Sequence, residues 1–365
     1  MHLGLFSLMP QRDRNKSARR VYAEMVEQVK LAEQAGFEIA WIAEHHFSNY
    51  CLCPSPLNIA AYLAGRTSRI RLGTAVLVLP LYEPLRMLEE IAMVDNLSDG
   101  RVVIGLGSGY QEYEFHKFGV AIKDSHEIFL EMLDIIERFL TRTPLAYEGK
   151  HFTIPETYFS VRPMQPMPDI YVAGLTTDLE AQKRVHRNGY VPIVTTGWST
   201  LEEMVAARET VANARRVAGL DAASMPYAIQ QYIHVTDDRA EALDAADHAR
   251  YVRRVAMSMR ENYGRLDGSY LVEIPARGEP PLETIVANTI IGDAHTCAER
   301  LVREIKALKL THLSCFFGFG GLEQRRVLRS IERFAGEVVP LVEKELGPLA
   351  SLGVPAPRAR PLAAE

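Results

Sequence analysis

The chain has 365 residues, of which 24% are charged and 47% hydrophobic, and these proportions are ordinary for a soluble globular protein. The formal net charge of −5 argues against a nucleic-acid or anionic-membrane surface, and no apolar stretch is long enough to span a bilayer. The four cysteines do not form a disulfide framework at this length, and the N-terminus lacks the features of a signal peptide, so we expect a cytoplasmic protein.

Apolar runs alternate with amphipathic segments along the chain. The first four predicted strands are LGLFSL, EIAWIAE, IRLGTAVLVLP and RVVIGLGSG. Between them lie predicted helices at Ala18 to Gln34, LNIAAYLAGRT and PLRMLEEIAMVDNLS. The alternation resumes after Ser125, with strands predicted near Ile170, Val191, Ala228 and Leu313 and with helices between them.

Strands that are apolar on both faces are typical of parallel sheets covered by helices. Eight such strands predict an α/β fold, a closed (β/α)8 TIM barrel, with a two-lobed doubly wound protein as the alternative. We expect one barrel domain over residues 1–346 and a loose tail over 347–365. A hairpin insertion is predicted near 145–160, and a Gly/Pro-rich long loop or lid near 263–288.

In such barrels the functional site lies at the carboxyl ends of the strands. Several of these ends are rich in glycine and other small residues, which predicts a flat, bulky ligand close to the backbone. The segment Gly174 to Thr177 precedes a helix, and backbone N–H groups with two hydroxyls at a helix N-terminus favour a phosphate. A simple threonine N-cap is the alternative for this segment.

The second predicted strand ends on Glu44-His45-His46, with Cys51 and Cys53 close behind. Metal ligands, a catalytic acid or base, and an ordinary polar loop are all possible here. Adjacent strand residues point to opposite faces, so the two histidines are poorly placed to share one ion. The spacing also differs from that of regular zinc sites, and we predict no metal.

Segments WIAEHHFSNY, RIRLGTAVLVLPLYEPLRMLEEIAMVDNLSDGR and GLGSGYQEYEFHKFGV resemble the bacterial luciferase-like family of flavin-dependent monooxygenases, and DIYVAGLTTDLEA and THLSCFFGFGG fit it too. The resemblance covers roughly residues 3–340. It implies a TIM-like barrel, a homodimer, and reduced FMN supplied by a separate flavin reductase. It also implies that O2 is activated as a flavin hydroperoxide, which oxygenates a small organic substrate such as an aldehyde, ketone or hydrocarbon.

The resemblance assigns roles to particular residues. It implies that His45 is catalytic and that a non-proline cis peptide joins Ala75 and Val76 beneath the flavin ring. Many relatives carry an arginine, which helps to hold the phosphate, where this chain has Ser108. The predicted cofactor-binding residues are Ala75, Val76, Gly107, Ser108, Gly109, Tyr110, Gly174, Leu175, Thr176 and Thr177. The predicted substrate-pocket residues are Glu44, Cys51, Tyr110 and His116.

Three other functions stay open at this point. A branch of the same superfamily uses a deazaflavin coenzyme for hydride transfer. A non-catalytic flavin-binding relative is a second alternative, supported by Ser108 in place of arginine. A metal-dependent barrel hydrolase is the third. No nicotinamide-binding motif is visible, so the electrons must come from a separate protein.

Overall fold

The computed structural model of the protein describes residues 1–174 and 178–353. Its strands are β1 (His2–Ser7), β2 (Ile39–Ile42), β3 (Arg71–Thr74), β4 (Leu77–Val78), β5 (Val102–Gly107), β6 (Leu145–Glu148), β7 (Thr153–Thr157), β8 (Ile170–Ala173), β9 (Val191–Thr195), β10 (Ala228–Val235), β11 (Leu266–Asp267), β12 (Tyr270–Leu271), β13 (Ile290–Gly292) and β14 (His312–Phe316). Its α-helices are α1 (Ala18–Gln34), α2 (Pro56–Ala64), α3 (Pro84–Leu97), α4 (Glu112–Phe118), α5 (Ser125–Thr141), α6 (Leu179–Arg187), α7 (Leu201–Val217), α8 (Arg239–Arg260), α9 (Leu282–Asn288), α10 (Ala294–Leu308), α11 (Gln324–Arg333) and α12 (Val339–Leu346).

Eight parallel strands close into a barrel in the order β1, β2, β3, β5, β8, β9, β10 and β14, and β14 pairs again with β1. These are the eight strands that the apolar runs predict, and the (β/α)8 barrel is confirmed. β13 pairs with the last residues of β10, outside the closed ring. Within the described residues, no helix combines the length and the apolar character needed to cross a bilayer.

Helix α1 illustrates why these segments form helices against the barrel. Ser17 caps its N-terminus, because the side chain accepts a hydrogen bond from the backbone N–H of Arg20. The apolar residues that recur every three or four positions all face inward and are buried: Val21, Met25, Val29 and Ala32. The helix therefore covers the sheet with one apolar face and leaves the other in solvent.

Trp41 of β2 fills the interior of the barrel below the strand ends. A Cβ built on Gly4 would lie 2.4 Å from its Nε1, and one built on Gly73 would lie 2.4 Å from its Cε3. The two glycines flank Trp41 on β1 and β3, so the neighbouring strands leave the space that the indole needs. The ring of Tyr171 meets it edge-on at 4.7 Å. Trp41 is thus a core residue, as its mid-strand position predicts.

The third barrel strand is interrupted where the sequence predicts one continuous run. β3 ends at Thr74, the Ala75–Val76 peptide bond is cis, and pairing with β5 resumes at β4. The cis bond lies at the position that the family resemblance implies. Thr74 bridges the gap, because its Oγ1 donates to the carbonyl of Gly105 and accepts from the same residue's N–H, both at 2.9 Å.

The two insertions contain secondary structure. β6 and β7 pair as an antiparallel hairpin. Residues 263–288, where the sequence predicts a long loop or lid, contain the hairpin β11–β12 and the helix α9. This segment is fastened to the barrel: the backbone N–H of Leu271 donates to Oδ1 of Asn49 at 2.8 Å, and Arg254 of α8 pairs with Glu273 at 2.8 Å.

Candidate active site

The barrel strands open at their carboxyl ends into a cavity of about 490 Å³. This volume lies in the ordinary range for a cofactor or small-molecule site. Seven of the predicted cofactor-binding residues line it: Ala75, Val76, Gly107, Ser108, Gly109, Tyr110 and Gly174. The other three, Leu175, Thr176 and Thr177, lie outside the described residues. The cavity is therefore where the barrel architecture predicts a site.

Glycine backbone forms one wall of the cavity. A Cβ on Gly107 would lie 2.5 Å from Cγ2 of Val76, and one on Gly109 would lie 2.5 Å from the ring of Phe115. Gly109 also has a φ of +76°, a backbone conformation that side chains disfavour. A ligand can therefore approach bare backbone at the end of β5, beside Ala75 and Val76.

His45 lies in the cavity and is held by a carboxylate from α4. Its Nδ1 is 3.0 Å from Oε1 of Glu114, and the same oxygen accepts the backbone N–H of His46 at 2.7 Å. Because an ionised carboxylate only accepts, we assign the ring proton to Nδ1. In the neutral ring Nε2 is then the basic nitrogen, and it lies 3.4 Å from the hydroxyl of Tyr110.

Glu44 lines the cavity, but other groups already occupy its carboxylate. Oε1 pairs with Nε2 of His46 at 3.0 Å, and Oε2 accepts from the hydroxyl of Tyr82 at 2.7 Å and the N–H of Val78 at 3.3 Å. Burial raises the pKa of Glu44, while these hydrogen bonds act in the opposite direction. Glu44 therefore ties the end of β2 to β4, next to the glycine wall.

The two histidines have different partners. His45 pairs with Glu114 and lies in the cavity, whereas His46 pairs with Glu44 and packs edge-on against Phe118 at 4.8 Å. Over residues 1–174 and 178–353, no three His, Cys, Asp or Glu side chains gather into a group that could hold a metal ion.

Two of the four predicted substrate-pocket residues, Cys51 and His116, do not line this cavity. Tyr50 takes the cavity side of its loop, and Cys51 lies behind it in the hydrophobic core, where burial keeps the pKa of its thiol far above the usual value. His116 is exposed on α4. It follows Glu114 by two residues, a rotation of about 200° around the helix axis, so it faces solvent when Glu114 faces the cavity.

The sequence analysis missed the contribution of α8. Val252, Arg253, Ala256, Met257 and Arg260 line the cavity, and we call this set the roof face. Their spacing of three and four residues defines one side of a helix. Two arginines on an otherwise apolar helix side were the signal in the sequence for a cavity wall. Barrel helices ordinarily lie outside the ring of strands, so the spacing alone did not indicate that α8 contacts the cavity.

The predicted phosphate cradle before α6 is only partly described. The N-cap of α6 is Asp178, whose side chain accepts the N–H of Ala181 at 2.9 Å and pairs with Nε2 of His126 at 2.8 Å. The carboxylate of Asp178 thus lies at the helix N-terminus where the sequence predicts a bound phosphate.

The fold and the position of the cavity are those of a (β/α)8-barrel enzyme. A profile of the luciferase-like monooxygenases matches residues 1–312, and the chain belongs to this family. It is 38% identical over 349 residues to the uncharacterized protein y4vJ of Sinorhizobium fredii, covering 95% of this chain and 99% of that protein. It is 25% identical over 351 residues to the oxygenase component of the flavin-dependent trigonelline monooxygenase of Acinetobacter baylyi, covering 93% and 95%.

Solved structures share the fold. Monooxygenase RslO1 from Streptomyces bottropensis superposes with a TM-score of 0.80 at 21% identity, covering 93% of this chain and 99% of that one. An F420-dependent secondary alcohol dehydrogenase superposes with a TM-score of 0.70 at 16% identity, covering 93% and 98%. A monooxygenase and an F420-dependent dehydrogenase therefore share this fold. The fold alone does not distinguish the two reactions, so the residues of the site must do so.

Proposed function

We propose that the protein is the oxygenase of a two-component flavin-dependent monooxygenase, which uses reduced FMN and O2 to oxygenate a small organic substrate. The observation that carries the proposal is His45, whose imidazole is fixed by Glu114 and faces a cavity with a bare glycine wall. Membership of the luciferase-like family supports the reaction class.

The residues present fit a flavin. Gly107 and Gly109 line the cavity without side chains, next to Ala75 and Val76, and would let a planar ring system lie against the end of β5. Ala75, Val76, Gly107, Gly109 and Tyr110 would hold the ring, and Ser108, Gly174, Leu175, Thr176 and Thr177 would contribute to its phosphate site. When bound, reduced FMN supplies the two electrons with which one atom of O2 enters a substrate and the other is released as water.

The protein's own residues supply proton control. Nε2 of His45 accepts or returns a proton at the cavity surface, while Glu114 keeps Nδ1 protonated and stabilises the imidazolium when it forms. Tyr50 and Tyr110 pack against the imidazole with ring centroids at 4.7 and 5.6 Å, which limits its rotation and restricts water around it.

The proposal includes the source of the reduced cofactor, the oligomeric state and the location of the protein. A separate flavin reductase supplies the reduced cofactor, the active species is a homodimer, and the location is cytoplasmic. The name of the Acinetobacter relative, an oxygenase component, supports the reductase. The four cysteines, all free and buried, are compatible with a reducing compartment.

Oxygen consumption with reduced FMN across octanal, cyclohexanone, limonene and octane tests the proposal. We expect at least one compound to be consumed, and His45→Ala to lower that rate roughly 100-fold or more, because general acid–base catalysis contributes on that order. His116→Ala is the matched control, since His116 is exposed outside the cavity. Reduced F420 serves as the alternative coenzyme. Turnover with F420 and without O2 uptake would replace the monooxygenase by a hydride-transfer enzyme.

A further inference from the structure

The roof face of α8 carries two cations into the cavity. Arg253 and Arg260 are seven residues apart on the same side of the helix, which separates them by about 10 Å along its axis. Arg260 lies near the His45 side of the cavity, with its guanidinium carbon 5.8 Å from the centroid of Tyr110. Arg253 lies at the other side, near the loop that follows β9.

Within the described part of the chain, Arg253 lacks the carboxylate partner that Arg250 and Arg254, beside it on α8, both have. Arg250 pairs with Asp247, and Arg254 pairs with Glu273 at 2.8 Å and with Glu279 through its Nε at 2.7 Å. Among the described residues no carboxylate pairs with Arg253, and its Nε is buried without a hydrogen-bond partner. An unpartnered guanidinium nitrogen away from water is costly, so such a group ordinarily has a counter-ion when the protein works.

The surroundings of Arg253 hold its guanidinium in one place. Its guanidinium carbon lies 5.9 Å from the centroid of Trp198, and a Cβ on Gly197 would be 3.7 Å from that carbon. The loop carrying both residues is fixed, because Asn288 donates to the carbonyl of Trp198 at 3.1 Å. The cation is therefore positioned at the cavity wall before any ligand arrives.

The rest of this end of the cavity offers an anion little charge. Ser108 is neutral, and the N-terminus of α6 is capped by the carboxylate of Asp178. Gly174, Thr195 and Gly197 line the same end with small side chains or none. A phosphate at this end would have polar contacts and space, and among the described residues Arg253 is the cation that lines this end of the cavity.

We propose that Arg253 is the anion-binding residue of this cavity and that it holds the phosphate monoester of the flavin cofactor. The inference rests on the proposed function and adds to it the residue that takes the place of the arginine which many relatives carry at the position of Ser108, directly after β5. A guanidinium matches phosphate oxygens with paired N–H donors, and such charge-assisted bonds are stronger than neutral ones.

Binding of FMN and of riboflavin, which lacks the phosphate, tests the proposal without requiring turnover. Each flavin is titrated in its oxidised form by fluorescence and, after anaerobic reduction, by absorbance, against wild type, Arg253→Met, Arg253→Lys and Arg260→Met. We expect Arg253→Met to weaken FMN binding roughly 10- to 100-fold and to leave riboflavin binding within about twofold. Arg253→Lys keeps the charge and should lose less affinity for FMN than Arg253→Met does. Arg260→Met tests the second cation of the same helix face, and we expect it to change the affinity for FMN and for riboflavin by equal factors.

A thermal-unfolding measurement guards against a folding artefact. Methionine keeps an apolar stem and removes the unpartnered Nε, so we expect the ligand-free Arg253→Met protein to unfold at the same temperature as wild type or slightly higher. FMN should raise the unfolding temperature of wild type more than riboflavin does, and Arg253→Met should remove that difference.

The outcomes separate this inference from the proposed function. Wild-type affinity of Arg253→Met for FMN, or an equal loss for FMN and riboflavin, would overturn the assignment of the phosphate to Arg253 and leave the flavin cavity standing. A loss of affinity for FMN but not for riboflavin that is confined to Arg260→Met would place the phosphate at the opposite end of the roof face. Failure of wild type to bind either flavin would refute the inference together with the proposed function.

Discussion

His45 and Glu114 are 69 residues apart in the chain, and their side chains meet at 3.0 Å in the cavity. One carboxylate oxygen serves both Nδ1 of His45 and the backbone N–H of His46, so it orients the imidazole and holds the end of β2 at the same time. We therefore regard Glu114 as a positioning residue, which acts on the reaction through His45.

Replacement of Glu114 tests this role. In Glu114→Ala both N–H donors lose their acceptor, so we expect kcat to fall roughly 10- to 100-fold as the imidazole loses its fixed tautomer. Glu114→Gln retains an amide oxygen that can accept the same bonds but lacks the charge that stabilises the imidazolium, so it should recover part of the rate. The ¹⁵N chemical shifts of the His45 ring report the tautomer directly. An unchanged tautomer in Glu114→Ala would contradict the positioning role.

At the residue scale the sequence predicts where the strand ends lie, and with the family resemblance it singles out His45 and the Ala75–Val76 bond. It does not predict the partner of His45, because the pairing with Glu114 depends on how α4 is rotated about its axis. Arg253 was missed for a related reason: its position in the cavity depends on how α8 lies across the barrel.

At the scale of elements, the junction between β3, β4 and β5 shapes the glycine wall. Only Leu72 and Gly73 of β3 pair with β5, and the ladder resumes at Leu77. In between, the carbonyl of Thr74 is directed at Gly105, where a Cβ would lie 1.9 Å from that oxygen. Local patterning predicts a continuous apolar strand here, because nothing in an apolar run marks an interruption.

Gly105→Ala should destabilise the protein by at least about 3 kcal/mol, because backbone on both strands would have to move to relieve the contact. Gly65→Ala is the matched control. It lies at the end of α2 with a φ of −79°, and its nearest neighbour to a new Cβ is 4.0 Å away. We expect the control to unfold in urea at the wild-type concentration or slightly above it. Equal midpoints for the two variants would contradict the proposed strand contact.

Helix α10 packs a buried carboxyl group against β10. Oε1 of Glu304 accepts from Nε2 of Gln231 at 3.0 Å, whereas its Oε2 has no partner within the part of the chain that the structure describes. Burial raises the pKa of Glu304 to about 7. The folded protein therefore keeps this proton to a higher pH than the unfolded chain does, and the stability from this group declines as the pH rises toward 7.

The side chain in Glu304→Gln cannot ionise, so the stability of this variant should not decline as the pH rises toward 7. We expect it to be more stable than wild type at pH 8 by up to about 3 kcal/mol, with a smaller difference at pH 5. Urea unfolding at the two pH values measures both. Glu299→Gln, on the exposed face of the same helix, should change stability little at either pH. If the stability gain of Glu304→Gln over wild type grew toward acidic pH, the raised pKa of Glu304 would be contradicted.

At the scale of the whole molecule, the barrel was predictable because eight apolar runs recur with helices between them, which is the pattern of a (β/α)8 barrel. The cover over the barrel was less predictable. Residues 263–288 form a hairpin and a helix fastened by Asn49 and Arg254, yet the cavity itself is roofed by α8. Long-range polar contacts such as these leave no periodic signal in the sequence.

We propose that this cavity uses reduced FMN to transfer one oxygen atom from O2 to a substrate. Mass spectrometry of the products formed under ¹⁸O2 tests it most directly, with reduced FMN and each of octanal, cyclohexanone, limonene and octane. We expect a product to gain one ¹⁸O atom and His45→Ala to suppress its formation. Absence of ¹⁸O from every product, together with hydride transfer from reduced F420 and no uptake of O2, would contradict the proposal.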